Sequence, residues 1–362
     1  MDLAVATSDQ RQSAGGSSAG LEALYAGLAR RLADEHANDN LVFSPLSIYT
    51  SLALVAAGAR GATLDEILRF LGARSRQELD EFVARTAGGA LRDWSGSGGP
   101  RVAFACGVWS DLSCPLKPGF RDAVVNSAYK ADASSIDFRG DPEGACRLIN
   151  AWAERVTKGL IKNVLSPELV DPLTRVVLGN AVYFKGEWEQ PFRKGNTKNA
   201  PFRLPGRRRR RRRALYAELA ASVYRRARRF QGAQTWHLPP RKVDVGDFWV
   251  PRFKLSFHNS VVDALKKLGL QLPFNQEAAD LSDMTEQAGL AVGQVIHKAV
   301  IEVNEEGTDA AAFNMSIKAP KKARVRPPRV DFVADHAFAY IIVEEKTGAV
   351  VFAGHVLDPS RE

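Results

Sequence analysis

The residue types that could take part in chemistry are concentrated in two places. Between Glu305 and Asp331 the chain reads Glu-Glu-Gly-Thr-Asp-Ala-Ala-Ala-Phe-Asn-Met-Ser-Ile-Lys-Ala-Pro-Lys-Lys-Ala-Arg-Val-Arg-Pro-Pro-Arg-Val-Asp. The stretch has no helix or strand pattern of its own. Structureless connections beyond about 12–15 residues are uncommon in compact domains and are usually functional or disordered. Lys321, Lys322, Arg324 and Arg326 make it a protease-sensitive site, whether it is a working loop or a plain linker. The second place is a run of seven arginines, Arg207 to Arg213, followed by Arg225, Arg226, Arg228 and Arg229, the kind of cluster that could meet phosphates. Elsewhere the signs of catalysis are missing. There is no Gly-x-Ser-x-Gly, no glycine loop to cradle a phosphate and no His-Glu-x-x-His, and the six histidines are scattered. The chain is therefore expected to hold no catalytic residue, cofactor or metal. Cys106, Cys114 and Cys146 are odd in number and match no zinc spacing, so reduced core thiols are expected.

The elements that would carry these segments can be read from spacing. Hydrophobic residues make up 45% of the 362, enough for a sizeable core, and no apolar run is long enough for a membrane span. Residues 1–20 are polar, without the pattern of a secretory signal, and are expected to form a loose arm ahead of a single domain over 21–362. The net charge of +9 is local: positions 207–229 carry +10 and the remainder is close to −1. Ser44-Pro45 is a helix start, with a capping side chain and a proline at the first helical position, and Leu46–Ala57 is apolar enough to be buried. Thr63 and Glu66 have capping-box spacing ahead of Ile67, Leu68, Phe70 and Leu71. A helix is expected from about Pro142 to Val164, with Leu148, Trp152 and Val156 on one face. Val176–Phe184 and Val295–Asn304 read as strands, the second with Val295, His297, Ala299, Ile301 and Val303 on one side. Ala337–Glu344 and Ala349–Val356 flank Lys346-Thr347-Gly348 as a hairpin. Helices come early and strands late, without a βαβ rhythm, which points to α+β with antiparallel-rich sheets.

Several blocks resemble one family in order. Glu305–Ala312 after Val303-Asn304 is similar to the hinge of the serpins. Asn40–Ile48 resembles their first core helix, Asn150-Ala-Trp-Ala the helix lying across the main sheet, and Leu178–Trp188 its central strand. Phe332–Phe338 and Phe352–Pro359 resemble the C-terminal signature, with wording similar to the plant branch. The resemblance covers about 21–359 except roughly 203–240. It implies a large main sheet with helices, second barrel-like sheets and an exposed reactive-centre loop. A serine protease would attack that loop as a suicide substrate and form a covalent acyl complex. The cut loop would then enter the main sheet as a new strand; serpin loop insertion is itself a standard example of strand addition. The hinge would comprise Gly307, Thr308, Asp309, Ala310, Ala311 and Ala312. By the family's spacing the reactive bond would be Lys321–Lys322, implying a trypsin-like partner, with Lys322 and Arg324 as competitors. Thr308, Ala310, Ala312, Asn314, Ser316 and Lys318 would face inward on insertion. Ser44, Ser47, Asn180 and His297, with Trp188 at the sheet's top, would form the group that gates sheet opening.

Three positions depart from the family pattern: Cys106 where Asn is common, Ala337 where Pro is common, and the Arg-rich 203–240. The last looks shortened, with strands of the second sheet lost. A monomer is expected, acting in the cytoplasm or nucleus, or else outside the cell as many serpins do. The alternatives are a non-inhibitory serpin kept for storage or interaction, and an Arg-mediated nucleic-acid binder. The Arg run lacks the interleaved aromatics that stack bases.

Overall fold

The computed structural model describes residues 8–127, 129, 131–188, 191–205, 211–220, 245–287, 289–306 and 330–362. The long helix α1 (Ser8–Glu35) begins inside the stretch expected to be a loose arm. Ser17 is fully buried and its hydroxyl donates to Glu78 at 3.2 Å, while Gly20 lies so close to the Leu71 carbonyl that a Cβ would overlap it. From Ser8 onward, then, residues counted as arm are helix, because small residues let α1 seat against its neighbours.

β1 (Leu41–Phe43) leads into α2 (Pro45–Gly58), which is buried almost throughout. Ser44 caps it as expected, its hydroxyl accepting from Ser47 N. α3 (Gly61–Phe70) starts two residues before Thr63 and has no side-chain cap. The capping box does not form because both its members are engaged elsewhere: Thr63 Oγ1 accepts from Asp280 N and Glu66 from Leu272 N. α4 (Arg76–Ala90), β2 (Arg101–Asp111), α5 (Pro118–Val125) and β3 (Asp132–Ile136) follow.

α6 (Pro142–Val156) is shorter than expected, and the reason is local. Lys158 adopts φ +53° and Gly159 φ +79°, while Lys158 N bonds to Arg155 O and Gly159 N to Glu154 O. That pair of bonds is a Schellman stop. The inward stripe is Ala145, Cys146, Ile149, Trp152 and Ala153, whereas Leu148 is 61% exposed and Val156 42%. The expected face was thus turned: 3.6-residue periodicity carries i, i+4 and i+8 off the buried line.

β4 (Val176–Lys185), β5 (Lys198–Arg203), β6 (Arg211–Ala220), β7 (Val245–Pro251), β8 (Phe253–Ser260), α7 (Val262–Lys267), β9 (Gln294–Val303), β10 (Val330–Val333), β11 (Phe338–Val343) and β12 (Val350–Val356) complete the chain. The main sheet has the order β3-β2-β4-β9-β8. β2/β4 and β8/β9 are antiparallel, and β2/β3 and β4/β9 parallel. One face packs on α1–α4 and the β1-β12-β11 sheet, the other on α6. Trp109 and Trp152 meet edge to face at 4.7 Å beneath α6. Gly107 and Gly179, paired across β2 and β4, make room for Trp109: a Cβ on either would lie within 2.7 Å of the indole.

The remaining sheet has the order β10-β7-β6-β5. The basic segment was expected to have lost its strands, yet Arg211–Ala220 pairs with both β5 and β7. Arg211–Arg213 register opposite Arg203–Pro201, so backbone pairing holds a strand that charge alone disfavours.

Candidate functional site

The parallel contact of β4 with β9 runs from Val177↔Gln294 to Lys185↔Glu302 and organises two polar groupings. The first lies midway along the pair, under the sheet. His297 is fully buried. Its Nε2 lies 3.0 Å from the Ser44 N–H, which donates to it, so its Nδ1 carries the proton and donates to Asn180 Oδ1 at 2.9 Å. Asn180 Nδ2 donates to the Ser47 carbonyl at 2.6 Å and to Ser51 Oγ at 2.9 Å, and Ser47 Oγ lies 3.1 Å from Asn180 Oδ1. Burial pushes the His297 pKa down to about 3, so the ring is neutral. One cluster therefore ties β4, β9 and the N-terminus of α2 together. Ser44, Ser47, Asn180 and His297 converge there, joined by Ser51, one turn beyond Ser47 on α2. Next to it, Cys106 Sγ lies 3.7 Å from Ser51 Oγ, its thiol pushed up to about 11 by burial. Cys106, Cys114 and Cys146 are all free and buried.

The second grouping lies where β4 and β9 both end. Trp188, beyond the end of β4, is here and not in the cluster. Its indole N–H donates to Asn304 O at 2.7 Å, its backbone N to Glu306 O at 3.3 Å, and its ring meets Phe192 at 5.1 Å. Glu305 is buried, held by Arg252 Nε at 3.1 Å and by the Thr197 hydroxyl at 2.7 Å. Glu306 is bound by Lys185 and lies 3.6 Å from Lys194. Burial opposes the Lys185 charge, but Glu306 and Glu302 prevail and hold its pKa above the usual value. Lys185, in turn, keeps the Glu306 carboxyl below the usual range. The segment leaving β9 is thus clamped to the segment leaving β4. Gly307 to Ala312, Lys321 and Lys322 lie outside the described residues. Arg252, Thr197 and Lys185 gave no signal in the sequence, since each meets its partner only through the fold.

Among the described residues no group of three or more His, Cys, Asp or Glu side chains could hold a metal ion, and no helix is long and apolar enough to cross a membrane.

Comparison with known proteins agrees with this geometry. The family described as "Serpin (serine protease inhibitor)" matches residues 20–239 and 232–359. The two matches overlap at 232–239, inside the atypical basic region. A rice (Oryza sativa subsp. japonica) chain named as a serpin-Z8 is 45% identical over 416 aligned positions, covering 95% of this chain and 96% of the relative. That span exceeds this chain's own length, so the relative carries stretches missing here. Serpin-Z4 of Hordeum vulgare is 37% identical over 90% of this chain and 91% of its own. The solved structure of Arabidopsis AtSerpin1 in its native stressed conformation superposes with a TM-score of 0.82 at 31% identity, over 98% of this chain and all of that one. With the fold, the order of its motifs and these relatives in agreement, the chain belongs to the serpin family and is of the plant type.

Proposed function

We propose that this serpin inhibits trypsin-like serine proteases as a suicide substrate, offering Lys321–Lys322 as the reactive bond and inserting the cut loop between β4 and β9. The observation that carries the reading is the parallel β4/β9 contact. Both strands end beside Glu305 and Glu306, where the loop departs. A segment leaving β9 there and turning back would run antiparallel to β9 and to β4 at once. One parallel ladder would be exchanged for two antiparallel ones, and every main-chain group of the new strand would find a partner.

The sequence after Glu306 suits that path. Alternate residues point to one face. Thr308, Ala310, Ala312, Asn314 and Ser316 are small or modest in size, while Phe313, Met315 and Ile317 would take the outer face. With Thr308 opposite Val303, whose side chain shares the face of His297, Asn314 would come level with His297. Insertion to that depth has to separate His297 from Asn180, which is the gating role given to the cluster. Lys318 would need to reach solvent at the far end, since an unpaired buried ammonium is costly. A lysine at the reactive bond suits a protease whose specificity pocket holds a carboxylate.

Mixing the purified chain with trypsin tests this. The expected result is a detergent-stable complex between the protease and the N-terminal part, with a released fragment that begins at Lys322 by mass spectrometry. Cleavage without any complex would replace this reading by the non-inhibitory one. A fragment beginning at Ala323 or Val325 would move the reactive bond.

A further inference from the structure

β2 is flanked on both sides over only part of its length. β4 pairs with it from Arg101 to Ser110, whereas β3 joins on the other side only from Gly107↔Asp132 onward. Beside 101–106 no strand stands among the described residues. Two cavities of about 770 and 610 Å³ open along this bare edge. They share Leu91, Phe104 and Val156 and so make one trough between α4 and α6. The larger end sets Phe104, Cys106, Tyr129 and Trp152 beside Arg92 and Asp132 in its lining, and Val125 at its rim is 44% exposed. The smaller end is charged, with Arg101, Lys158, Lys185, Glu187 and Glu306 among its lining residues.

We propose that this trough docks an extended segment of a partner protein. The segment adds as a strand beside residues 102–106, with apolar side chains in the larger cavity and a lysine or arginine directed to Glu187.

Three observations select an extended peptide of this kind. First, the bare edge is a template for main-chain pairing, which a compact small molecule would leave unused. Its six residues span about 20 Å, enough for a short strand. Second, the space sits where β3 would continue if it were longer, so an added strand extends an existing row and needs no rearrangement of β2. Third, Glu187 Oε2 is buried without a hydrogen-bond partner among the described residues. A buried acceptor left unmet is costly, and more so when charged. Lys185 is already engaged by Glu302 and Glu306, and Arg101 and Lys158 line the cavity without reaching that oxygen. A rotation of the Glu187 side chain, which already lines the cavity, would bring that oxygen into the trough, where a cationic side chain of the guest would supply the missing donor.

The test uses the whole uncut chain and no protease, so its outcome is independent of the inhibitor reading. The probes are a capped hexapeptide, Lys-Thr-Val-Thr-Phe-Thr, its reversed sequence, and a form of each with Lys replaced by Thr. Amide hydrogen exchange is followed with and without each peptide at millimolar concentration. The expected result is at least tenfold slowing within 102–106 by one of the two lysine peptides. Glu187→Gln should weaken that peptide about tenfold and leave its Thr form unchanged. Val156→Glu, at a partly exposed position in the trough, should abolish the slowing while the melting transition is retained; Val125→Glu serves if that variant does not fold. No slowing with either orientation, or slowing that survives both Glu substitutions or falls outside the trough, overturns the proposal.

Discussion

His297 works only as a neutral ring. Its Nε2 accepts from the Ser44 N–H, and a proton placed there would turn that acceptor into a second donor facing a donor. The folded pKa lies near 3, against about 6.5 for an unfolded histidine. Between those values the unfolded chain holds more protons than the folded one, so this contribution to stability is complete above pH 6.5 and is lost as pH falls towards 3. Urea midpoints at pH 7, 5.5 and 4 should decline more steeply for the parent than for His297→Gln, by up to about 1.4 kcal/mol per pH unit. Parallel declines would show that His297 is not responsible. Asn180→Ala should cost about 2–3 kcal/mol, because it strands the His297 N–H and removes the partner of Ser47 and Ser51; a urea midpoint within error of the parent would show the cluster to be idle. Thr308 sets the other expectation at this scale. As the first side chain to pass under the sheet it cannot become a guanidinium without a buried, unpaired charge. Thr308→Arg should keep cleavage by trypsin but lose the detergent-stable complex, and complex formed at the parental yield would refute insertion in this chain.

Among the elements, α6 offers a clean test of what stops a helix. Lys158 holds φ +53° at a position where glycine carries no steric penalty. Lys158→Gly should therefore raise stability by about 0.5–1 kcal/mol, read as a higher urea midpoint; a lower midpoint would mean that the lysine side chain matters more than its backbone. Elements whose signals are local were legible in the sequence. Ser44-Pro45 opens α2, the 346–348 turn joins β11 to β12, and the alternation of β9 places Val295, Ala299 and Ile301 on the α1–α4 side. Elements decided by distant partners were not. Thr63 and Glu66 had the spacing of a cap, but residues more than 200 positions away claimed their side chains. Arg211–Arg213 argued against a strand until β5 supplied a partner for them and β7 one for Tyr216–Ala220 further along. The candidate site divides in the same way. Resemblance to the family located Ser44, Ser47, Asn180 and His297, whereas the Arg252 and Thr197 grip on Glu305 depends on a fold that no spacing announces.

For the whole molecule, the decisive quantity is what the uncut state holds in reserve. Among the described residues the main sheet has five strands, and its β4/β9 junction is closed by the His297–Asn180 bond at mid-length and by the clamps on Glu305 and Glu306 at its end. Against that, one sheet of the frame has an open flank among the described residues. The sheet β1-β12-β11 ends on β11, where Ile341 is 50% exposed and no strand among the described residues flanks it. A frame that yields there would let the main sheet relax before any protease arrives, and stored strain requires surroundings that over-determine it. Cutting the loop separates these cases. If the frame holds, cleavage frees the segment after Glu306 to become a sixth strand, and the inward Thr308, Ala310 and Ala312 add burial and a second ladder. A gain of several kcal/mol at about 2 °C for each corresponds to a rise in melting temperature on the order of 10 °C or more. Limited digestion of the loop by a metalloprotease, which forms no acyl intermediate to be trapped, followed by calorimetry of cut and uncut chains, measures it directly. An uncut chain that already melts where the cut one does has spent its strain or never stored any, and it would then act as a substrate of proteases without trapping them.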